Sequence, residues 1–482
     1  MRRIVLIMIF VFALTAAEGQ SRREALLEYR KRQQTAYTRY ADNRRQACAE
    51  YMRRRWEAFT PQAPADVPAR REPDKPAVRP PRKDSLPTND RMPLDRVTDL
   101  PAAPADDKPA TPATPSASAP DVPTGRALKF TFYGTECSVS LPVSLKFRLG
   151  SAEESDAAAA WERLGNGGFD KAADECRQMK SALGLNDWGY YALVRSVSDA
   201  FCGSGSNESA LMQFFLMSEA GYKVRLARSG NRLTVLFASA DTIYARPFVT
   251  LGGSRFYAAD AATHGGSYYI CNFNAAGEKA LSMRMNRPPM LTFRTDRSST
   301  HRTKDAAVAA TVTVNANVID FMNDYPACDW KTYVSVRLSP RTESQLYPAL
   351  RYAIDGRSEP EAVGILLKYL HEGFDYMVDD RQFGVERTFF AEEMFWYPYS
   401  DCEDRAILFA RLVTDLLGLK VVLLHYSNHL AAAVRFSSDT AGDYVLAGSD
   451  KYTVCDPTYI GAGVGEAMPD CKRMKAEVIH IN

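Results

Sequence analysis

Residues 399–406, with the sequence YSDCEDRA, decide how the C-terminal part of the chain folds. Ser400 and Glu403 have the S-x-x-E spacing of a capping box, which marks the first turn of a helix. Apolar residues then recur at three- and four-residue spacing, which predicts a helix, and Gly418 is a typical helix-ending glycine. Cys402 therefore lies in the first turn, where the helix dipole and free backbone N–H groups favour a thiolate.

The segments after this helix supply a base and an acid. Residues 421–424 (VVLL) are typical of a buried strand, and a turn at residues 427–428 precedes a second strand that begins with His429. A later strand ends at Asp456, which proline follows. A cysteine at a helix start, followed by these two residues on strands, is the pattern of a Cys-His-Asp triad, in which the acid orients the base. His425 is the alternative base, and we rank it lower because it lies inside the apolar strand.

This arrangement resembles the transglutaminase-like superfamily of papain-type cysteine enzymes. The matching features are Asp-Cys-Glu-Asp at 401–404, the helix that ends at Gly418, the strand opened by His429, and DPTY at 456–459. An upstream helix near residues 361–374 also fits the family. The resemblance covers the C-terminal part of the chain.

The resemblance implies that Cys402 is the nucleophile, His429 the general base and Asp456 the orienting acid. The implied fold is α+β, with the cysteine helix packed on an antiparallel sheet. The implied reaction is acyl transfer or hydrolysis at an amide or peptide bond through a thioester on Cys402. It needs no metal and no organic cofactor, and its substrate is a protein or peptide.

Other interpretations of the same residues remain open. A cysteine is commonly a buried apolar residue or half of a disulfide, and a histidine on a strand commonly has a structural role. The triad could also be vestigial, so that the chain is a non-catalytic, envelope-tethered binding or scaffold protein. Among enzymes, a protease, a cross-linker, a deamidase and a cell-wall amidase all fit.

The N-terminal residues predict an exported protein with a tethering region. Residues 1–19 have the basic start, apolar stretch and small residues of a signal peptide, so we expect a secreted, periplasmic or cell-envelope location. Residues 20–59 are rich in arginine and aromatics and lack glycine and proline, which predicts a basic helical arm. This arm is either a solvated helix that pairs with itself or a contact to the anionic envelope.

Residues 60–125 contain sixteen of the 27 prolines and predict a disordered, extended linker. We therefore expect globular sequence to start near Arg126, and everything before it to be dispensable for folding. The net charge of +2 gives no reason to expect nucleic-acid binding. The nine cysteines permit disulfides in an exported chain, and the oligomeric state cannot be read from the sequence.

Residues 126–300 resemble the C-terminal domain, residues 301–482, in their order of elements. A shift of 197 residues brings Gly221 onto Gly418 and Asn231 onto Asn428 without a gap. The same shift places three unreactive residues on the predicted triad: Gly205 on Cys402, Arg232 on His429 and Ala259, next to Asp260, on Asp456. We therefore predict a degenerate copy of the same fold, the alternative being a chance similarity of two helix–strand–strand units.

Overall fold

The computed structural model describes residues 25–32, 35–36, 38–66, 73–80, 127–260, 266–295 and 297–481, and the backbone of 97–99. The predicted signal peptide, residues 1–19, lies outside these ranges. The described residues form helices packed on antiparallel sheets, so the predicted α+β class is confirmed.

The helices are α1 (described residues 25–32, 35–36 and 38–52), α2 (Glu154–Asn166), α3 (Asp170–Ala182), α4 (Asp187–Cys202), α5 (Asn207–Glu219), α6 (Ala316–Asn323), α7 (Trp330–Ser335), α8 (Pro340–Ile354), α9 (Glu359–Gly373), α10 (Asp379–Gln382) and α11 (Cys402–Leu417).

The strands are β1 (Glu57–Phe59), β2 (Val97–Asp99), β3 (Leu128–Phe132), β4 (Thr135–Val139), β5 (Val224–Ser229), β6 (Arg232–Ser239), β7 (Phe248–Leu251), β8 (Ser254–Ala258), β9 (Tyr268–Cys271), β10 (Ser299–Arg302), β11 (Ala309–Val312), β12 (Asp375–Tyr376), β13 (Tyr399–Ser400), β14 (Lys420–Tyr426), β15 (His429–Arg435), β16 (Tyr444–Ala447), β17 (Asp450–Cys455) and β18 (Ala476–His480).

Two six-stranded sheets share one strand order. The first sheet runs β7-β8-β6-β5-β9-β1, and the second runs β16-β17-β15-β14-β18-β2. In each sheet the last strand comes from the segment before residue 100, antiparallel for β1 and parallel for β2. Helix α5 precedes the first sheet in the chain as α11 precedes the second, so both halves follow the same path from helix to sheet.

The register of the first hairpin is also the same in both halves. Ser229 pairs with Arg232 at the end of β5–β6, and Tyr426 pairs with His429 at the end of β14–β15. The shift of 197 residues therefore holds for these strands. Because side chains alternate between the faces of a strand, equal register places Arg232 and His429 at equivalent positions.

The basic arm is part of the folded protein. Cys48, Met52 and Trp56 lie four residues apart, so they share one helix face and its continuation, and all three are buried. Arg45 forms a buried ion pair with Glu219 of α5, 2.8 Å long. The expectation that the fold begins near residue 126 is therefore wrong, because the arm contributes both apolar surface and buried charge pairs.

The proline-rich linker is ordered wherever the structure describes it. Gln62 bridges to Phe248 of β7, residues 73–80 contact the C-terminal half, and β2 joins the second sheet. Extended, proline-rich segments suit the edges of sheets, where few backbone donors are needed. The prediction of a disordered spacer fails for these residues, and the rest of 60–125 lies outside the described ranges.

One large apolar core runs through both halves, and each sheet covers a smaller cluster on its other face. All nine cysteines are free thiols. Among the described residues, no helix has the length and apolar character needed to cross a membrane.

Candidate active site

Cys402 is the first residue of α11, as the sequence predicts, but the cap is one residue away from the predicted one. Asp401 is the N-cap, and it forms a capping box with Asp404. Ser400 lies in β13 instead, where its hydroxyl accepts a hydrogen bond from Arg405 Nε at 3.2 Å. Gly418 ends the helix in the left-handed region with φ +69°, as expected.

His429 and Asp456 form a buried hydrogen-bonded pair. His429 Nε2 lies 2.8 Å from Asp456 Oδ2, and the two side chains are 6% and 1% exposed. The other carboxylate oxygen of Asp456 accepts hydrogen bonds from the N–H groups of Thr458 and Tyr459, which fix its orientation. Burial raises the pKa of Asp456, but the charge and hydrogen bond of His429 lower it by more, so the pKa lies below its ordinary value.

The thiol of Cys402 lies against the start of the histidine strand. Leu430, the residue after His429, donates its backbone N–H to Cys402 Sγ at 3.2 Å. This N–H and the N-terminus of α11 both stabilise negative charge on sulfur. With Nε2 of His429 engaged by Asp456, Nδ1 is the ring nitrogen that remains for proton transfer. The thiol therefore lies against the backbone of β15 directly after His429, whose side chain pairs with Asp456.

A group of buried acids surrounds the start of α11. Cys402 Sγ lies 3.5 Å from Glu403 Oε2, so the thiol can donate to this carboxylate. Burial, followed by the charges of Glu403 and Asp379, raises the pKa of Asp404 well above its ordinary value. Carboxylate oxygens of Asp379, Asp401 and Glu403 lie within 4.8 Å of one another, which is the spacing of a possible cation site.

The capping-box spacing places Glu403 only in the helix cap and does not predict this acidic group. The signal was present in the sequence D-C-E-D, because three acids in four residues cannot all face solvent when the helix start is buried. Asp379 lies in a separate short helix, and nothing in the sequence relates it to α11.

Two further histidines have other partners. His425 Nδ1 lies 3.1 Å from Glu477 Oε2, and its ring packs on Trp330, so it is engaged apart from Asp456. His371 Nε2 lies 3.0 Å from the backbone oxygen of Asp456, and burial lowers the pKa of His371. His371 therefore braces the acid loop, a role that the sequence did not indicate.

Residues 73–80 of the proline-rich segment join two sides of this region; we call them the strap. At one end, Tyr376, which pairs with Ser400, donates to the backbone oxygen of Pro73 at 3.2 Å. At the other end, Val78 pairs with Ile460 in the loop after Asp456. Cys402 itself has no exposed surface.

The N-terminal half has a different residue at the cysteine position from the one predicted. The N-caps of α5 and α11 are Ser206 and Asp401, so Asn207 and not Gly205 corresponds to Cys402. Leu233 donates its N–H to Asn207 Oδ1 at 2.9 Å, as Leu430 does to the sulfur of Cys402. The gapless comparison failed here because two fewer residues separate the helix start from the strand in this half.

Comparisons with known proteins give no further constraint: no family model matches the chain, and no curated protein and no solved structure is significantly similar to it.

Proposed function

We propose that residues 301–482 form a transglutaminase-like cysteine enzyme that acts on an amide or peptide bond of a protein or peptide. The proposal includes an exported chain, secreted or held at the cell envelope. Two contacts carry it: the buried His429–Asp456 pair, and the backbone N–H of Leu430, the residue after His429, which is directed at the sulfur of Cys402 at the start of α11.

The proposed reaction follows from these positions. Nδ1 of His429 takes the thiol proton, and Cys402 Sγ attacks the carbonyl carbon of the amide. The C–N bond then breaks, the leaving amine takes the proton from His429, and a thioester remains on Cys402. Water or a second amine next gives its proton to His429 and attacks the thioester, which releases the acyl group and restores the thiol. Asp456 holds the ring orientation and stabilises its charged form.

The buried position of Cys402 sets a condition on this reaction. Its sulfur is inaccessible in the structure, and the side chain of His429 is only 6% exposed. A substrate carbonyl must approach within about 3–3.5 Å of the sulfur before attack. Residues that cover the thiol must therefore move when substrate binds.

The test is to trap the nucleophilic thiol. The full chain is incubated with a peptide that carries a chloroacetamide group, and the modified residue is located by mass spectrometry. We expect a single adduct on Cys402, which disappears in Cys402→Ser. Glutamine peptides with and without a biotinylated alkyl amine then distinguish amine incorporation from hydrolysis. The absence of both an adduct and turnover with these peptides would refute the proposal.

A matched pair of variants separates the two groups that can accept the thiol proton. His429→Gln removes the proposed base, whereas Glu403→Gln removes the carboxylate 3.5 Å from the sulfur. We expect His429→Gln to abolish adduct formation. Glu403→Gln should keep or increase it, because a carboxylate next to the sulfur opposes the thiolate. The reverse result would make Glu403 the base.

The second candidate is a non-catalytic scaffold, and the fully buried thiol favours it. In that case Cys402, His429 and Asp456 are only a polar core. Cys402→Ser and His429→Gln would then change stability, and the wild type would form no adduct under native conditions.

A further inference from the structure

A cavity of about 400 Å³ lies in the N-terminal half, at the position that corresponds to the triad. Arg232 lines it at the start of β6, where β15 has His429. Asp260 lines it after β8. Ala258 of β8 pairs with β6 in the same way that Val454 of β17 pairs with β15. Asp260 lies two residues after Ala258, and Asp456 lies two residues after Val454. Arg232 and Asp260 therefore lie at the positions that His429 and Asp456 occupy in the C-terminal half.

This cavity cannot support the chemistry proposed for the C-terminal half. The position of the cysteine holds Asn207, whose side chain is bound to the backbone at Leu233 and Asn231. Arginine stays protonated at every relevant pH, so Arg232 cannot act as a base. The site has lost the nucleophile and the base, yet it has kept an open volume.

The lining carries three guanidinium groups, from Arg195, Arg232 and Arg246. Arg246 is fixed by two hydrogen bonds from Nη1 to the backbone oxygens of Ala258 and Ala259, 3.0 and 2.6 Å long. Its Nε and Nη2 groups form no hydrogen bond with any other described residue and remain as donors. Arg232 Nη2 lies over Gly205, 3.6 Å from the position that a Cβ atom would have at that residue. No described residue forms a hydrogen bond or ion pair with the guanidinium of Arg232.

The acids of the lining do not balance these cations. Asp324 is already engaged, because Arg195 lies 3.9 Å away and Tyr133 donates to it at 2.8 Å. Asp260 is the second acid, and it forms no ion pair with any of the three arginines. Among the described residues, the lining therefore has three arginines and two acids, and Asp260 forms no ion pair, which leaves an excess of positive charge.

We propose that this cavity binds the oxyanion group of a small ligand, either a carboxylate or a phosphate. The planar guanidinium groups of Arg232 and Arg246 provide paired N–H donors that match two oxygens of such a group. Asp260 accepts an N–H or O–H of the same ligand. The N-terminal half is then a ligand-binding domain built on the framework of the proposed catalytic one, and its binding is independent of Cys402.

The experiment measures binding to the full chain by isothermal titration calorimetry at low ionic strength. The probes are N-acetyl-dialanine with a free carboxylate, the same peptide as its C-terminal amide, and phenyl phosphate. We expect the carboxylate or the phosphate probe to bind and the amide not to bind. The tighter of the two anions identifies the source of the oxyanion. Failure of both anions to bind at millimolar concentration would overturn the proposal.

Variants locate the site. Arg232→Gln should weaken binding by about tenfold or more, since one hydrogen bond to a charged group contributes roughly that factor. Arg255→Gln, an exposed arginine on β8 that is not part of the lining, should leave binding unchanged. Cys402→Ser should also bind as the wild type does. Equal loss in Arg232→Gln and Arg255→Gln would indicate general charge attraction and would refute a site in this cavity.

Discussion

Replacing Arg45 by methionine should lower the free energy of unfolding by about 3 kcal/mol. Arg45 lies in α1, and its guanidinium donates to both oxygens of Glu219, at 3.1 and 2.8 Å. The Glu219 side chain is only 5% exposed. Removal of one partner of a buried ion pair costs about 3–5 kcal/mol. We place the loss at the lower end because Arg44 still reaches Glu219 at 2.7 Å.

Arg53→Met is the matched control, at the residue directly after the end of α1. Arg53 pairs with Glu162 at 2.6 Å, but the two side chains are 47% and 42% exposed. Exposed pairs contribute roughly 0–1 kcal/mol, so this variant should be nearly as stable as the wild type. Both variants replace an ion-paired arginine by methionine in the same segment of the chain, and they differ in the burial of the pair.

Urea titration of both variants, followed by circular dichroism and tryptophan fluorescence, measures the difference. The two signals must change together for a single free energy to apply. We expect Arg45→Met to unfold at clearly lower urea than Arg53→Met. If both variants lose less than about 1 kcal/mol, α1 is not docked on α5, and the original interpretation of residues 20–59 as a separate arm would be restored.

Three further outcomes follow from single positions. Gly418→Ala should lower the free energy of unfolding, measured by thermal melts, by about 1–2 kcal/mol because φ is +69°. Gly364→Ala, inside α9 with open space around it, should raise it by up to about 1 kcal/mol. Equal effects of the two substitutions would contradict this reasoning. The pKa of Asp456 is lowered by His429 against the effect of burial, so its stabilising contribution is full above about pH 4 and is lost as pH falls through the lower folded value. Asp456→Asn should remove that acid-induced loss, and an unchanged profile of stability against pH would refute the pairing. Combining Asp74→Asn with Arg79→Gln removes the strap's ion pairs to Arg381 and Glu466, each 2.8 Å long, and should speed alkylation of Cys402 without lowering the melting temperature by more than a few degrees; an unchanged rate would show that the strap does not control access.

Local pattern predicted the elements of the C-terminal half. The spacing of apolar residues located α11, and the glycine that ends it was read correctly. The cap was misplaced by one residue because Ser400-x-x-Glu403 and Asp401-x-x-Asp404 satisfy the same spacing rule. The pairing of Ser400 with Tyr376 in a short parallel bridge is a long-range contact that decides between them, and no local rule contains it.

Long-range contacts explain the larger errors. Cys48, Met52 and Trp56 are buried on one face of the arm, but the residues that they pack with lie far away in the chain, where no local pattern reaches. The repeat was recognised from the turn glycines and the strand order. The position equivalent to Cys402 falls on Gly205 in a comparison without gaps, because such a comparison cannot show that α5 begins two residues closer to its first hairpin than α11 does. The N-caps of α5 and α11 and the shared contact of Leu233 and Leu430 identify Asn207.

The most direct test of the account is the rate at which limiting iodoacetamide alkylates each of the nine cysteines at pH 6. Burial raises the pKa of Cys202 to about 12 and also raises that of Cys137, the two thiols that are only partly buried, so both should react slowly despite their exposure. The account predicts that Cys402 reacts first, that His429→Ala slows it by about tenfold or more, and that His425→Ala does not. Faster labelling of Cys137 or Cys202, with no effect of His429→Ala, would contradict an activated nucleophile at Cys402.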